Sequence, residues 1–176
     1  NEDQINGWNF IDENGEVFDT DAPWQDLHGT QVAGIIAQVA QNNQIPLQII
    51  TCKVFENGTA YTSDVIEAIE FAQEKGAKVI NMSFGGGFYN PALYDTMRDS
   101  NMLFITAAGN NRANLDETPV YPACFDLSNI VSVSSTNADG GFSFFSNYST
   151  TQVDVTARGR DVVSALPGNQ SGKFTG

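Results

Sequence analysis

Basic residues are scarce in this 176-residue sequence, where 8 Lys and Arg oppose 21 Asp and Glu for a net charge of −13. The deficit argues against a nucleic-acid partner, because phosphate binding needs a basic face. No run approaches the roughly 20 apolar residues of a membrane span, so a membrane partner is not expected either. Apolar residues make up 41% of the chain, which is enough for a single domain over residues 1–176 with its own core.

Cysteine is scarcer still, with 2 residues in the sequence. Cys52 lies in an apolar stretch and is predicted to be a buried small side chain, whereas Cys124 follows the turn-like Tyr121-Pro122-Ala123. A disulfide between the two cysteines is possible, but no spacing rule supports it. A Cys–His catalytic pair is the alternative for Cys124, although nothing near it indicates the lowered thiol pKa that such a pair needs.

The sequence holds one histidine, His28, at the start of a run of small and apolar residues that includes Gly29 and Gly34. An isolated histidine at a helix start is usually a packed or capping side chain. It is also the one side chain that titrates near neutral pH, so a general base is the alternative.

Helical and extended patterns alternate along the chain. Apolar spacing predicts helices over Thr30–Gln41, from the capping residues Thr62-Ser63-Asp64 to a left-handed cap at Gly76, and over Pro91–Asp99. Strands are predicted at Ile49–Phe55, Val79–Met82, Met102–Ala107, Ile130–Ser134 and Val153–Thr156. The alternation indicates an α/β fold of three layers, with a largely parallel central sheet flanked by helices.

Polar segments follow two of these strands directly. Ser83-Phe84-Gly85-Gly86 comes after one strand and Ala108-Gly109-Asn110 after another, while His28 begins a helix. Since sites in such sheets form beyond the carboxyl ends of the strands, we expect these three features at one edge.

Together these segments resemble the subtilisin-like serine proteases, and the resemblance covers nearly all of the chain. His28–Gly34 is similar to the catalytic-histidine helix of that family, and Ala107–Asn110 is similar to its oxyanion segment. The remaining matching segments, in the family's order, are Val79–Gly86, Tyr121–Ala123, Phe144–Tyr148, Val153–Gly159 and Ser164–Gly168.

The resemblance implies that His28 is the general base and that the Asn110 amide donates to the tetrahedral oxyanion. Taken alone, Asn110 also suits an ordinary turn. Gly29 and Gly34 would let neighbouring backbone approach the helix closely. The segments Gly58-Thr59-Ala60 and Ser83-Phe84-Gly85 would form the two walls of a groove that pairs with extended peptide, unless both are simply glycine-rich turns.

Val120 stands where the family often has glycine near the floor of its primary specificity pocket. A branched side chain there would make the pocket shallower and favour small or medium substrate residues.

Other positions depart from the family pattern. Leu27 and Gln31 replace residues that are commonly Gly and His, and Arg158 replaces a proline. The segment 42–47 lacks the glycine pattern of the family's strong calcium loop, so no metal or other cofactor is expected there. A weaker cation site near Ala123 and Asp154 is the alternative to a carboxylate without metal, and calcium would need six or more oxygens.

The family's serine motif, Gly-Thr-Ser-Met-Ala, and its catalytic-aspartate strand are both absent from the sequence. Because the sequence begins at Asn1 rather than Met, it is expected to be a processed form or a piece of a longer protein. We therefore expect the parent to be a serine endopeptidase acting on peptides or proteins, and this chain alone to be inactive unless complementary segments supply both residues.

Two alternatives remain. One is a non-catalytic module that binds peptides or a partner through the same groove. The other is a different hydrolase with Ser83 as nucleophile, although Asn81 stands where that motif needs glycine. Location is not determined by the sequence, and the resemblance favours secretion; the sequons at Asn57, Asn147 and Asn169 add little.

Overall fold

The computed structural model describes residues 7–176, which group into two compact units. One unit comprises the described residues up to Ala72 together with Val163–Lys173, and the other comprises Gln73–Val162 with Phe174–Gly176. The single domain expected from length stays a prediction. None of the helices in this described range is long and apolar enough to cross a bilayer.

Eleven helices and strands lie within the described range. In chain order they are β1 (Gly7–Asn9), α1 (Leu27–Asn42), β2 (Thr51–Lys53), α2 (Thr62–Glu74), β3 (Val79–Met82), α3 (Pro91–Asp99), β4 (Leu103–Ala107), β5 (Ile130–Thr136), β6 (Val155–Arg158), β7 (Val162–Leu166) and β8 (Gln170–Phe174).

The first unit contains two small sheets. β1 and β2 pair in parallel, with Gly7 opposite Thr51, and β7 pairs with β8. α2 turns Val65, Ala68 and Ile69 inward as a buried stripe. This spacing is the i, i+3, i+4 pattern of an amphipathic helix.

The second unit contains the central sheet, in the order β3-β4-β5-β6. All three pairings are parallel. α3 connects β3 to β4, and its Met97 is buried along with Phe104 of β4. Parallel strands joined by a helix confirm the predicted α/β class with a largely parallel central sheet.

α3 begins and ends where its sequence directs. The Asn90 side chain accepts hydrogen bonds from the backbone N–H groups of Ala92 and Leu93. Pro91 occupies the first helical position, where its fixed φ suits the helix and its missing N–H is not needed. Leu93 and Met97 are buried one turn apart, so the apolar face is short but continuous.

Several predicted boundaries move. α1 starts at Leu27, three residues before the predicted Thr30, which puts His28 inside its first turn. β2 is shorter than the predicted strand, and β6 begins two residues later than predicted. β6 starts after Asp154 because that residue bonds to Ser132 through both its N–H and its carboxylate. The left-handed cap at Gly76 is confirmed by its φ of +83°.

Candidate active site

His28 is the second residue of α1 and is exposed. The helix is preceded by Asp26, whose side chain makes no capping hydrogen bond to α1. Its carboxylate instead accepts a hydrogen bond from Asp19 N at 2.7 Å and pairs with Lys53 Nζ of β2 at 2.9 Å. Only 13% of the Lys53 side chain and 11% of the Asp26 side chain are exposed. The start of the helix that carries His28 is therefore fixed to β2 by a largely buried ion pair.

The body of α1 packs closely on β7 at Gly34. A Cβ atom on Gly34 would lie 2.5 Å from Ser164 Oγ and 2.9 Å from the backbone N of Ala165. The Ser164 hydroxyl donates a hydrogen bond to the carbonyl oxygen of Gln31. The close approach expected at Gly34 is thus present. The same expectation is wrong for Gly29, because nothing lies within 4 Å of a Cβ atom there.

The predicted groove wall at 58–60 begins in a tight hairpin. Glu56 and Thr59 exchange both backbone hydrogen bonds, each at 2.9 Å. Between them, Asn57 and Gly58 have φ values of +50° and +78°, as a two-residue turn with two left-handed residues requires. Gly58 is therefore a turn residue. Gly58 and Thr59 are exposed, whereas Ala60 is half-buried.

In the second unit, the loop after β3 lies against the segment that contains Val120. Gly86 and Tyr121 pair through two backbone hydrogen bonds, with the Gly86 N–H donating at 2.8 Å and the Tyr121 N–H at 2.7 Å. A Cβ atom on Gly85 would lie 2.7 Å from Val120 Cγ1. The structure thus brings together the predicted wall at Gly85 and the predicted pocket residue Val120.

Val120 also lies near the loop that follows β4. Its second methyl group, Cγ2, would be 3.9 Å from a Cβ atom on Gly109. Gly109 has a φ of +103°, and the next residue, Asn110, is exposed. The Val120 side chain therefore lies between the predicted substrate wall and the predicted oxyanion segment.

Gly176 lies beside Asn110. A Cβ atom on Gly176 would be 3.6 Å from Asn110 Nδ2. The Gly176 N–H donates to the carbonyl oxygen of Gly159 at 2.8 Å, and a Cβ atom on Gly159 would overlap Ser135 Oγ. The same Cβ atom would also overlap the Gly176 carbonyl oxygen, so glycine at 159 lets both Ser135 and Gly176 approach the backbone there.

The remaining wall residues, Ser83 and Phe84, directly follow β3 and are half-buried. Asn81 Nδ2 donates a hydrogen bond to Ser83 Oγ at 2.8 Å. Since an amide nitrogen is not a base, this contact does not activate the hydroxyl as a nucleophile.

Both cysteines are free thiols, so the possible disulfide is not formed. Burial raises the pKa of Cys52 from its ordinary value of 9.0 to about 11. Burial also raises the pKa of Cys124, more than the Val120 N–H that points at its sulfur lowers it. A raised pKa disfavours the thiolate, so Cys124 lacks the property that a Cys–His nucleophile needs.

Among residues 7–176, no three His, Cys, Asp or Glu side chains are grouped so as to hold a metal ion. One carboxylate oxygen of Asp154 accepts the Ser132 N–H at 2.8 Å, and Ala123 is buried. The weak cation site near Ala123 and Asp154 stays a prediction.

Two side chains that hold these segments in place were missed by sequence reasoning. Asp26 directly precedes α1, and Asn147 forms hydrogen bonds on both sides of Asn110. The available signal at Asn147 was its place in the family-matching segment Phe144–Tyr148, and the residue is fully buried.

Comparison with known proteins gives one family. The model of the subtilase family, peptidase S8, matches residues 1–176. The chain is 31% identical to the thermophilic serine proteinase of Bacillus sp. (strain AK1), over 98% of this chain and 43% of that protein. It is 32% identical to the intracellular serine protease of Paenibacillus polymyxa, over 98% of this chain and 55% of that protein. The chain thus spans about half the length of these relatives.

Among solved structures, a cold-adapted subtilisin-like serine proteinase matches with a TM-score of 0.80 and 30% identity, covering 97% of this chain and 60% of that one. The match confirms the predicted three-layer α/β fold class with its largely parallel central sheet.

Proposed function

The chain belongs to the subtilase family, and on that premise we propose that it is the core of a serine endopeptidase that hydrolyses peptide bonds with a Ser-His-Asp triad. His28 is the general base of this triad, and Asn110 is the oxyanion donor. The serine and the aspartate are supplied by segments outside residues 1–176, since neither motif occurs in the sequence. In this proposal the 176 residues alone do not turn over substrate.

In the proposed reaction, His28 takes the proton of the serine hydroxyl as it attacks the scissile carbonyl, then returns the proton to the leaving amine. Such proton transfer contributes about 10²–10⁴-fold. Asn110 donates its side-chain N–H to the oxygen that becomes negative in the tetrahedral intermediate. Loss of one such donor costs about 10²–10³ in kcat, a figure that comes from a member of this same family.

The observation that carries the proposal is the grouping in the second unit. Gly85 and Gly109 both lie near the Val120 side chain, and Gly176 lies against Asn110 Nδ2. A substrate wall, a pocket residue and an oxyanion donor in one neighbourhood are what acyl transfer requires. An ordinary turn at Asn110 would not need these neighbours.

Extended peptide or protein substrates are proposed to bind by backbone pairing. Thr59 already uses both its N–H and its C=O with Glu56, so within 58–60 the pairing is assigned to Gly58 and Ala60. In the second unit it is assigned to Ser83-Phe84-Gly85. Neither nucleic acid nor membrane is a proposed partner.

Secretion, which the family resemblance favours, is kept as part of the proposal. A relative at 32% identity is named an intracellular serine protease, so cell fractionation of the native host is the test of compartment.

The first experiment uses a fluorophosphonate probe, which labels activated serines. We expect the full-length protein to be labelled and to cleave peptides, and the 176-residue chain to remain unlabelled. His28→Ala in the full-length protein should lower kcat by at least about 10²-fold, and Asn110→Ala by about 10²–10³-fold. Gln38→Ala on the exposed side of α1 and Asn111→Ala are matched controls, and both should retain activity.

The alternatives give different results. Labelling of the 176-residue chain by itself would contradict the missing nucleophile. A full-length protein that binds peptides without cleaving them would instead be the peptide-binding module. Ser83→Ala tests the second alternative, a different hydrolase with Ser83 as its nucleophile. Loss of turnover would favour that hydrolase, whereas a change in KM alone would favour Ser83 as a substrate-binding residue.

A further inference from the structure

Asn147 is a fully buried side chain, with 0% of its surface exposed, in the segment between β5 and β6. We propose that Asn147 is a positioning residue, whose hydrogen bonds hold Asn110 in the orientation needed for oxyanion binding. The inference rests on the proposed function, because it concerns the same donor.

The hydrogen bonds of Asn147 bracket Asn110 in sequence. Before Asn110, Asn147 Nδ2 donates to the Ala108 carbonyl oxygen at 2.8 Å, and the Asn147 backbone N–H donates to the Gly109 carbonyl oxygen at 2.9 Å. After Asn110, Asn147 Oδ1 accepts from Asn111 N at 2.9 Å and from Ala113 N at 3.0 Å. Asn110 is thus an exposed residue in a loop that one buried side chain holds on both sides.

This set of partners requires an amide. The site contains one carbonyl group, that of Ala108, which needs a donor, and two N–H groups, those of Asn111 and Ala113, which need an acceptor. The asparagine side chain supplies both a donor and an acceptor. An aspartate would lose the donor to Ala108 and would bring a charge into a buried position. The contact is also tight, because a Cβ atom on Gly109 would lie 2.6 Å from Asn147 Nδ2. Glycine at 109 and asparagine at 147 therefore depend on each other.

Asn147 is itself anchored to the central sheet. Its carbonyl oxygen accepts hydrogen bonds from Ser134 Oγ of β5 at 2.8 Å and from Ser146 Oγ at 3.0 Å. A second connection joins the same two segments, since Arg112 N donates to the Phe145 carbonyl oxygen at 2.7 Å. The loop that carries Asn110 is therefore attached to β5 through Asn147, in addition to the direct hydrogen bond from the Ala108 N–H to the Val133 carbonyl oxygen at 2.9 Å.

Oxyanion stabilisation depends on this kind of support. The donor must be held near the position of the developing charge before reaction, within about 0.5 Å, and a displacement of about 1 Å can cost about 10²-fold in rate. Removing the Asn147 side chain leaves Asn110 in the sequence but removes one hydrogen bond before it and two after it, while the backbone bond to Gly109 remains. We therefore expect a loss in kcat, with ground-state binding of substrate nearly unchanged.

The test compares Asn147→Ala with Asn129→Ala in the full-length protein. Asn129 is a matched control, because its Nδ2 bonds to the carbonyl oxygen of Met97 in α3 and to those of Ser100 and Met102 in the loop before β4, whereas Asn147 holds the loop after β4. Asn147→Ala should lower kcat about 10- to 100-fold with KM within about twofold. Asn129→Ala should leave kcat within about twofold of wild type. In an Asn110→Ala background, the added effect of Asn147→Ala should fall below about threefold, because the two residues act through one donor.

Hydrogen exchange gives a readout that does not need activity. The amides of Asn111 and Ala113 should be protected in the wild-type protein and should lose that protection in Asn147→Ala. Asn147→Ser, a smaller polar change, serves if the alanine variant does not fold. Fast exchange of both amides in wild type, or unchanged kcat in a folded variant, overturns the proposal. If the wild-type protein is inactive but both amides are protected, the endopeptidase assignment is overturned, and with it the role of Asn147 in oxyanion binding. Only the hydrogen bonds from Asn147 to the loop are then confirmed.

Discussion

At the scale of single residues, Val120 tests whether the proposed pocket sets substrate preference. Its methyl groups lie against Gly85 and near Gly109, so removing them opens space between those glycines. Val120→Gly should therefore shift kcat/KM toward larger apolar residues before the scissile bond. A few methylene groups in an apolar pocket support at least about a tenfold change in that ratio. Matched peptides with Ala and Phe at that position measure it.

Val120→Ala is the graded control for this prediction, since it removes the two methyl groups but keeps Cβ. Its preference should fall between those of the wild type and Val120→Gly. An unchanged ratio in both variants would mean that Val120 does not line the pocket.

His28, Asn110 and Asn147 show which residue roles a sequence can predict. His28 and Asn110 could be assigned because each lies in a short run of matching residues, and their proposed chemistry depends on their own side chains. Asn147 acts on residues 34 to 39 positions away, and only the folded chain shows this contact. From the sequence, Asn147 could be placed only in the matching segment Phe144–Tyr148, without a role. The ion pair of Asp26 could not be predicted for a similar reason, because its partner Lys53 lies in β2, distant in sequence.

At the scale of elements, two glycines of α1 give opposite predictions for the same substitution. Gly34→Ala places a Cβ atom against Ser164 and Ala165 of β7. Overpacking of this kind typically costs about 1–3 kcal/mol. Gly29→Ala places a Cβ atom in open space, so only the helix propensity changes, by up to about 1 kcal/mol in favour of alanine.

Urea unfolding of the two variants measures this difference. The midpoint should fall for Gly34→Ala and stay or rise for Gly29→Ala, at a constant slope in each case. Equal destabilisation by both substitutions would mean that β7 does not restrict Gly34.

Elements that the sequence predicted well have strong local signals. β3 and α3 occupy their predicted residues, because a short apolar run ends in glycines in the first and Asn90-Pro91 sets the start of the second. β1, β7 and β8 were not predicted. β1 has only three residues, and β8 begins with Gln, Ser, Gly and Lys. Neither strand therefore has enough apolar residues for an alternating pattern to be recognised. These strands depend on pairing with a partner strand, which propensity does not encode.

At the scale of the whole molecule, composition predicts the field around the protein better than it predicts the site. The charge of −13 excludes little about chemistry, but it predicts self-repulsion in the folded state. Part of this repulsion is visible along α2, where Glu67, Glu70 and Glu74 are all exposed. Residues three and four apart are neighbours on a helix surface, and like charges there cost about 0.2–0.5 kcal/mol per pair.

Screening should therefore stabilise the protein. The Debye length falls from about 30 Å at 0.01 M salt to about 8 Å at 0.15 M, so the Tm should rise when NaCl is raised between these concentrations. Glu70→Lys replaces repulsion by attraction within the α2 row and should raise the Tm at low salt by about 1–3 °C, with a smaller gain at 0.15 M. Glu70→Gln, which only removes the charge, should give an intermediate gain at low salt. A Tm that is independent of NaCl in the wild type, or equal gains at both salt concentrations, would show that surface repulsion does not limit stability here.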